Sequence, residues 1–288
     1  MSFVSLTEQV ETSGTEIFLD TSIHCSRLKG PLFKDRIDSV LKRFRWIGTS
    51  SYAKTEFGNV VLAQAEYFLR KLTELGSVHA VLDFIGNVLP HRLHPKKVTW
   101  SFNLLRNHYG NDDAECTERA TCSLTLLMKV GVRFVEKLCD EPIADGTCCY
   151  WARKGVHKRQ DGKLVWKYPI CKRDNKRCRL DDFFVENQEL FARIKDAIDN
   201  LPNERKTDQL EDFSRIIGLA TKEPQVLLDY ESGCKRLADA IIAVDSVGYK
   251  NMFSQNERES AILCAILGQD FFYLPPNLER GVLLQKAQ

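Results

Sequence analysis

Nowhere does the sequence run apolar for the ~18–20 residues that a membrane-crossing helix needs, so no such helix is expected in it. It has no Gly-x4-Gly-Lys-Ser/Thr loop, so P-loop nucleotide chemistry is not expected either. The amino end, MSFVSLTEQVETSGTE, lacks the basic start and apolar middle of a secretory leader, and a cytoplasmic protein without a membrane partner is expected. No Cys-x2–4-Cys knuckle is present, so the simplest zinc-finger spacing is missing. Charge of one sign is missing too: 41 basic residues against 39 acidic leave a net +2, and the total charge points to no partner. Internal repeats and low-complexity segments are also lacking.

The 288 residues are 43% apolar and 28% charged, enough for one large domain or two modest ones. The first ninety residues read as α/β. EIFLD (16–20) and RWIGTS (45–50) are short strand patterns, and 33–44 has helical spacing. A long helix is expected over 55–75, with Thr55 as its cap. Helical periodicity then covers 77–89, 96–108, 114–138, 181–200 and 204–221. The end returns to alternation, with a helix over 235–249, a strand at 252–255, a helix over 257–268 and a strand beginning at 271. Strands alternating with helices predict a parallel central sheet flanked by helices. The expected division is a discontinuous core, 1–89 with 222–288, and a mostly helical insertion over 90–221 that carries a Cys-rich basic β-hairpin over 139–179.

EIFLDTSIHC raises the functional question. A strand delivers Asp20 to its tip and follows it with Thr21 and Ser22, which is either a helix cap or the start of an acidic site. Other polar groups occupy comparable places: the acids Glu56 on the helix after the second strand and Asp239 on the helix before the third, and Asn256 with the acid Glu257 just past the third. In an open parallel sheet the carboxyl ends of the strands define the ligand crevice. Carboxylates gathered there repel one another unless a divalent cation compensates them, and Mg²⁺ or Mn²⁺ suits such oxygen donors. Each acid also has an ordinary structural role, Glu56 as a favourable charge near a helix start and Asp239 on an amphipathic surface. An aspartyl-phosphate phosphatase would place a second Asp two residues after Asp20, where Ser22 stands.

The ordered set FLDTS, SSYAKTEF, LADAIIAVDSVGY and MFSQNE, with FFYLP at the end, resembles the PIN-domain family of metal-dependent nucleases over about residues 15–76 and 224–276. The resemblance implies a PIN-like fold and a Mg²⁺- or Mn²⁺-dependent hydrolase of phosphodiesters, an endoribonuclease acting on single-stranded RNA in the first place. Asp20, Glu56 and Asp239 would be its metal-binding catalytic acids, with Asn256 at the fourth catalytic position, where the family often has Asp. Thr21 and Ser22 would support the site floor, and Glu257 or Glu259 would stand in for the missing fourth charge. The alternative on the same fold is a non-catalytic nucleic-acid-binding or scaffold protein. A regulatory protein or a second copy of the chain stays open as a partner.

The ten cysteines are uneven. Asp161–Gly162 signals a hairpin turn that would bring Cys148 and Cys171 together near Cys139 and Cys178, a candidate structural Zn²⁺ set with Cys149 and His157 in reserve. The competing reading is buried free thiols, the role expected for the scattered Cys25, Cys116, Cys122, Cys234 and Cys264. Eleven bases against two acids between Arg153 and Arg179 form a footprint for nucleic acid. Its core is Arg153, Lys154, Lys158, Arg159, Lys172, Arg173, Lys176 and Arg177. Tyr150, Trp151, Trp166 and Tyr168 lie among them, either to stack on bases or to form the hairpin's own core. His91 and His94 read as loop residues with local roles.

Overall fold

A computed structural model describes residues 15–87, 104–105, 108, 110–131, 133–140, 156–159, 162, 164–166, 179–224 and 236–276. The centre is a four-stranded sheet in the order β2-β1-β5-β6, with every neighbouring pair parallel. The strands are β1 (Glu16–Leu19), β2 (Trp46–Thr49), β5 (Asn251–Ser254) and β6 (Asp270–Tyr273). Each is four residues long, and the central pair, β1 and β5, is buried along nearly its whole length, as strands covered on both faces are. Ile17 and Leu19 point to one face, with Phe253, Phe272 and helix α2 (Pro31–Leu41). Phe18 and Met252 point to the other, against Ala53, Ile242 and Cys264. The expected α/β architecture with a parallel sheet is therefore the observed one.

Beyond β1 the chain turns at once into α1 (Thr21–Ser26), and beyond β2 into α3 (Ser51–Phe57). The expected helix start at Thr55 is corrected here. Ser50 caps α3 by accepting the Ala53 N–H at 2.8 Å, while the Thr55 hydroxyl back-bonds to Ser51 O at 2.9 Å inside the helix. A π-helical segment, Gly58–Leu62, follows and runs into α4 (Ala63–Leu75). α4 packs with α5 (Val78–Asn87), α6 (Asp113–Val130) and Leu164 around one apolar cluster. The helix expected over 114–138 stops at Val130 because Gly131 takes a positive φ of 54°, and a separate turn, α7 (Arg133–Glu136), follows. Most of the helix expected over 96–108 lies outside the described residues.

Strands β3 (Val156–Lys158) and β4 (Leu164–Trp166) form the antiparallel hairpin. Its turn is closed by Gly162 N–H bonding Arg159 O at 2.9 Å, with Gly162 at φ 80°. The helix expected over 181–200 breaks at Asn187 into α8 (Arg179–Glu186) and α9 (Gln188–Asp199). Thr207 then caps α10 (Asp208–Lys222). These three share one apolar cluster with α11 (Ala238–Asp245) and α12 (Glu257–Leu267), so the expected boundary at 221/222 falls inside a common core. Among the described residues no helix is long and apolar enough to cross a membrane.

Candidate active site at the carboxyl edge of the sheet

The strand order places a topological switch between β1 and β5: the chain leaves β1 towards β2 on one side and returns to its other side as β5. Ligand crevices form at such points, outside the carboxyl ends of the strands. Asp20 stands there, its N–H extending the β1–β5 ladder to Phe253 O at 3.1 Å. Both readings of FLDTS hold at once. The Asp20 carboxylate caps α1 by accepting the Ser22 N–H, and it is also the centre of a side-chain network. Its Oδ2 accepts the hydroxyls of Ser22 at 2.5 Å and Ser254 at 2.7 Å. Those hydroxyls in turn accept the N–H groups of Gln255 and Asn256, at 2.9 Å each. The loop after β5 is thereby locked to the tip of β1.

Glu56 sits in the last turn of α3, not in the first turn of a long helix, and its Oε2 accepts the Thr21 hydroxyl at 2.6 Å. Asp239 opens α11, and its Oδ2 accepts two side-chain amides, Asn256 Nδ2 and Gln209 Nε2, each at 2.7 Å. The pattern repeats at all three acids. One oxygen is held by neutral donors, and among the described residues nothing donates to Asp20 Oδ1, Glu56 Oε1 or Asp239 Oδ1. None of the ion pairs among the described residues involves them. Burial, opposed by the Thr21 hydrogen bond and reinforced by the charge of Asp20, raises the Glu56 carboxyl to about 7. Burial first, then the charges of Asp20, Glu56 and Glu259, push Asp239 upward as well. This is what neighbouring carboxylates do without a compensating cation.

Among the described residues no three His, Cys, Asp or Glu side chains are drawn close enough to hold a metal ion together as they stand. The donor set nevertheless fits one in its chemistry. The donors are hard anionic oxygens whose second oxygens are fixed by neutral groups, the kind of outer shell that orients carboxylate ligands to Mg²⁺ or Mn²⁺.

At the fourth position, Asn256 donates to Asp239 instead of adding a charge. Glu257 is hydrogen-bonded to the Tyr273 hydroxyl, whose pKa is raised first by burial and then by the Glu257 charge. The acid whose charge reaches Asp239 is Glu259, which is buried on α12 and accepts the Thr207 hydroxyl at 3.0 Å. Two further site residues escape reading from local pattern. Ser254 carries the only clue, a hydroxyl at a strand tip; Gln209 comes from a helix thirty residues away in sequence from the acid it touches.

Cys139 is a half-buried free thiol with Sγ 3.7 Å from Val135 O, and burial with Asp140 and Glu136 pushes it up to about 12. Cys148, Cys149, Cys171 and Cys178 lie outside the described residues, as do Arg153, Lys154, Lys172, Arg173, Lys176 and Arg177. The side chains of His157 and Lys158 are likewise not described, and Arg159 is exposed. Of the scattered cysteines, Cys25, Cys116 and Cys264 are buried as expected, whereas Cys122 is exposed on α6. Tyr150, Trp151, Tyr168, Cys234, His91 and His94 also fall outside the described residues. No family model, curated protein or solved structure matches the chain, so the reading of this site rests on its own residues.

Proposed function

We propose that the chain is a Mg²⁺- or Mn²⁺-dependent nuclease of the PIN type, an endoribonuclease in the first place. The observation that carries this reading is the repeated half-saturation of Asp20, Glu56 and Asp239. Each has one oxygen pinned by a hydroxyl or amide, and none has a basic partner among the described residues. Asp20, Glu56 and Asp239 would hold the cation. When bound, it would lower the pKa of a water and stabilise charge developing on a phosphoryl group. Ser22 and Ser254 keep the Asp20 carboxylate turned, and Thr21 does the same for Glu56. Lys29, 3.0 Å from Gln255 Oε1 on the loop that lines the site, offers a cation to a substrate phosphate. The basic hairpin supplies further attraction for a polyanion.

Asn256 favours a second reading, a nucleic-acid-binding or scaffold protein that has lost cutting, because it brings no charge to the fourth position. Cleavage of single-stranded RNA and single-stranded DNA with Mn²⁺ separates the two. The nuclease reading expects metal-dependent cleavage that Asp20→Asn and Asp239→Asn each lower by at least about 100-fold, the scale of several kcal/mol of lost charge stabilisation. Cleavage surviving both substitutions would overturn the assignment. Binding of RNA without cleavage would leave the second reading standing.

A further inference from the structure

We propose that Gln209 is a positioning residue of the metal site, so that the helical middle of the chain completes the acidic centre. The inference rests on the nuclease reading above and extends it to an element outside the strand tips.

Three observations carry it. First, the Gln209 Nε2 amide donates to Asp239 Oδ2 at 2.7 Å, on the same oxygen that receives Asn256 Nδ2 at 2.7 Å. Two donors from different elements, α10 and the turn before α12, close on that oxygen, so the rotation of the carboxylate is fixed and Oδ1 is the one left for a ligand. Second, the contact is built in. Thr207 caps α10 by accepting the Leu210 N–H at 3.2 Å, and the same hydroxyl donates to Glu259 Oε1 at 3.0 Å. One turn of α10 is therefore tied to α11 through Gln209 and to α12 through Thr207. Third, the residue type is suited to the task. A Lys or Arg at 209 would orient Asp239 equally well but would neutralise it and compete with a cation for it. A neutral amide orients the carboxylate and leaves its charge to the metal. Outer-shell donors of this kind typically change metal affinity by about 10–100-fold when removed.

The test is a Mn²⁺ titration followed by electron paramagnetic resonance, with RNA cleavage measured on the same preparations. Wild type is compared with Gln209→Leu, Gln209→Glu and Asp239→Asn. Gln209 is exposed, so its replacements are expected to fold, and metal-free melting curves check this. Gln209→Leu should weaken Mn²⁺ binding by about 10–100-fold, Gln209→Glu by less because its added negative charge offsets the lost donor, and the lost cleavage should return at saturating Mn²⁺. Recovery by excess metal distinguishes positioning of a ligand from general damage to the fold. Wild-type affinity in Gln209→Leu overturns the inference while leaving the nuclease reading intact. If wild type binds no Mn²⁺ at this site, with no difference from Asp239→Asn, the nuclease reading itself falls and takes the inference with it.

Discussion

Glu56 carries its burial as a pH dependence. Its folded-state carboxyl lies at about 7 against an ordinary 4.5. Between those values the folded chain holds more protons than the unfolded one, so metal-free stability is expected to fall as pH rises from 4.5 and to level off above 7. The loss is at most about 3 kcal/mol at 1.36 kcal/mol per unit. His24 acts in the opposite sense. It is fully buried, with Nε2 3.0 Å from Thr49 Oγ1, and burial with the nearby Arg27 charge lowers it to about 3. Its contribution is complete above pH 6.5 and is lost as pH falls towards 3. The wild-type curve sums both slopes, and the difference between wild type and Glu56→Gln isolates the acid. In urea titrations that difference should grow in favour of Glu56→Gln from pH 5 to pH 8; a constant difference would refute the burial argument. At this scale the sequence was readable where a residue's role follows from its own neighbours. Asp20 announced itself by ending an apolar strand. Gln209 could not, because its partner, Asp239, is distant in sequence and no local pattern encodes such a meeting.

The elements hold the site through close contacts that a single added atom would spoil. Gly48 on β2 faces the Tyr249 ring, and a Cβ there would lie 2.2 Å from the phenolic oxygen and 2.3 Å from Cζ. Tyr249 is itself held edge-on to Phe18, with ring centroids 5.1 Å apart, so it has little room to withdraw. Gly48→Ala is expected to cost about 1–3 kcal/mol, the usual penalty of overpacking. A lower urea midpoint at unchanged slope would show it; an unchanged midpoint would mean that the ring moves aside freely. Element existence was largely legible, since the apolar residues Ile17–Leu19 and Met252–Phe253 are bounded by polar ones. Element edges were less so. Ser50 and Thr55 are both hydroxyl residues before helix-forming sequence, and the choice between them depends on which one sits where a free N–H must be capped. The π segment at Gly58–Leu62, next to Glu56, has no periodic signature that distinguishes it from continuing α-helix.

At the scale of the molecule, the helical middle and the α/β ends are joined by packing as well as by Gln209. Phe184, Phe191, Ile194, Phe213 and Ile217 share a core with Leu237, Ile241, Val244 and Leu263. Excising residues 88–221 is therefore expected to leave α11 and α12 with an uncovered apolar face. The truncated chain should keep far-UV circular dichroism, lose near-UV signal and bind a hydrophobic dye; a cooperative melt without dye binding would show instead that the ends fold alone. This joining is why breaks in pattern marked out a mostly helical middle region in the sequence but could not show which core it packs into. The strand order has a consequence for the chain's own making. The central strand β1 is synthesised early and its partner β5 late, and the Ser254–Asp20 hydrogen bond spans 234 positions. At 5–20 residues per second a ribosome separates those two events by roughly 10–50 s. Until β5 emerges, Asp20 has neither the Ser254 donor nor the neighbouring Asn256 loop, so a nascent chain carries the acids without the centre they form. Any cutting activity of this site would begin only once its strand tips had been released from the machinery that reads RNA.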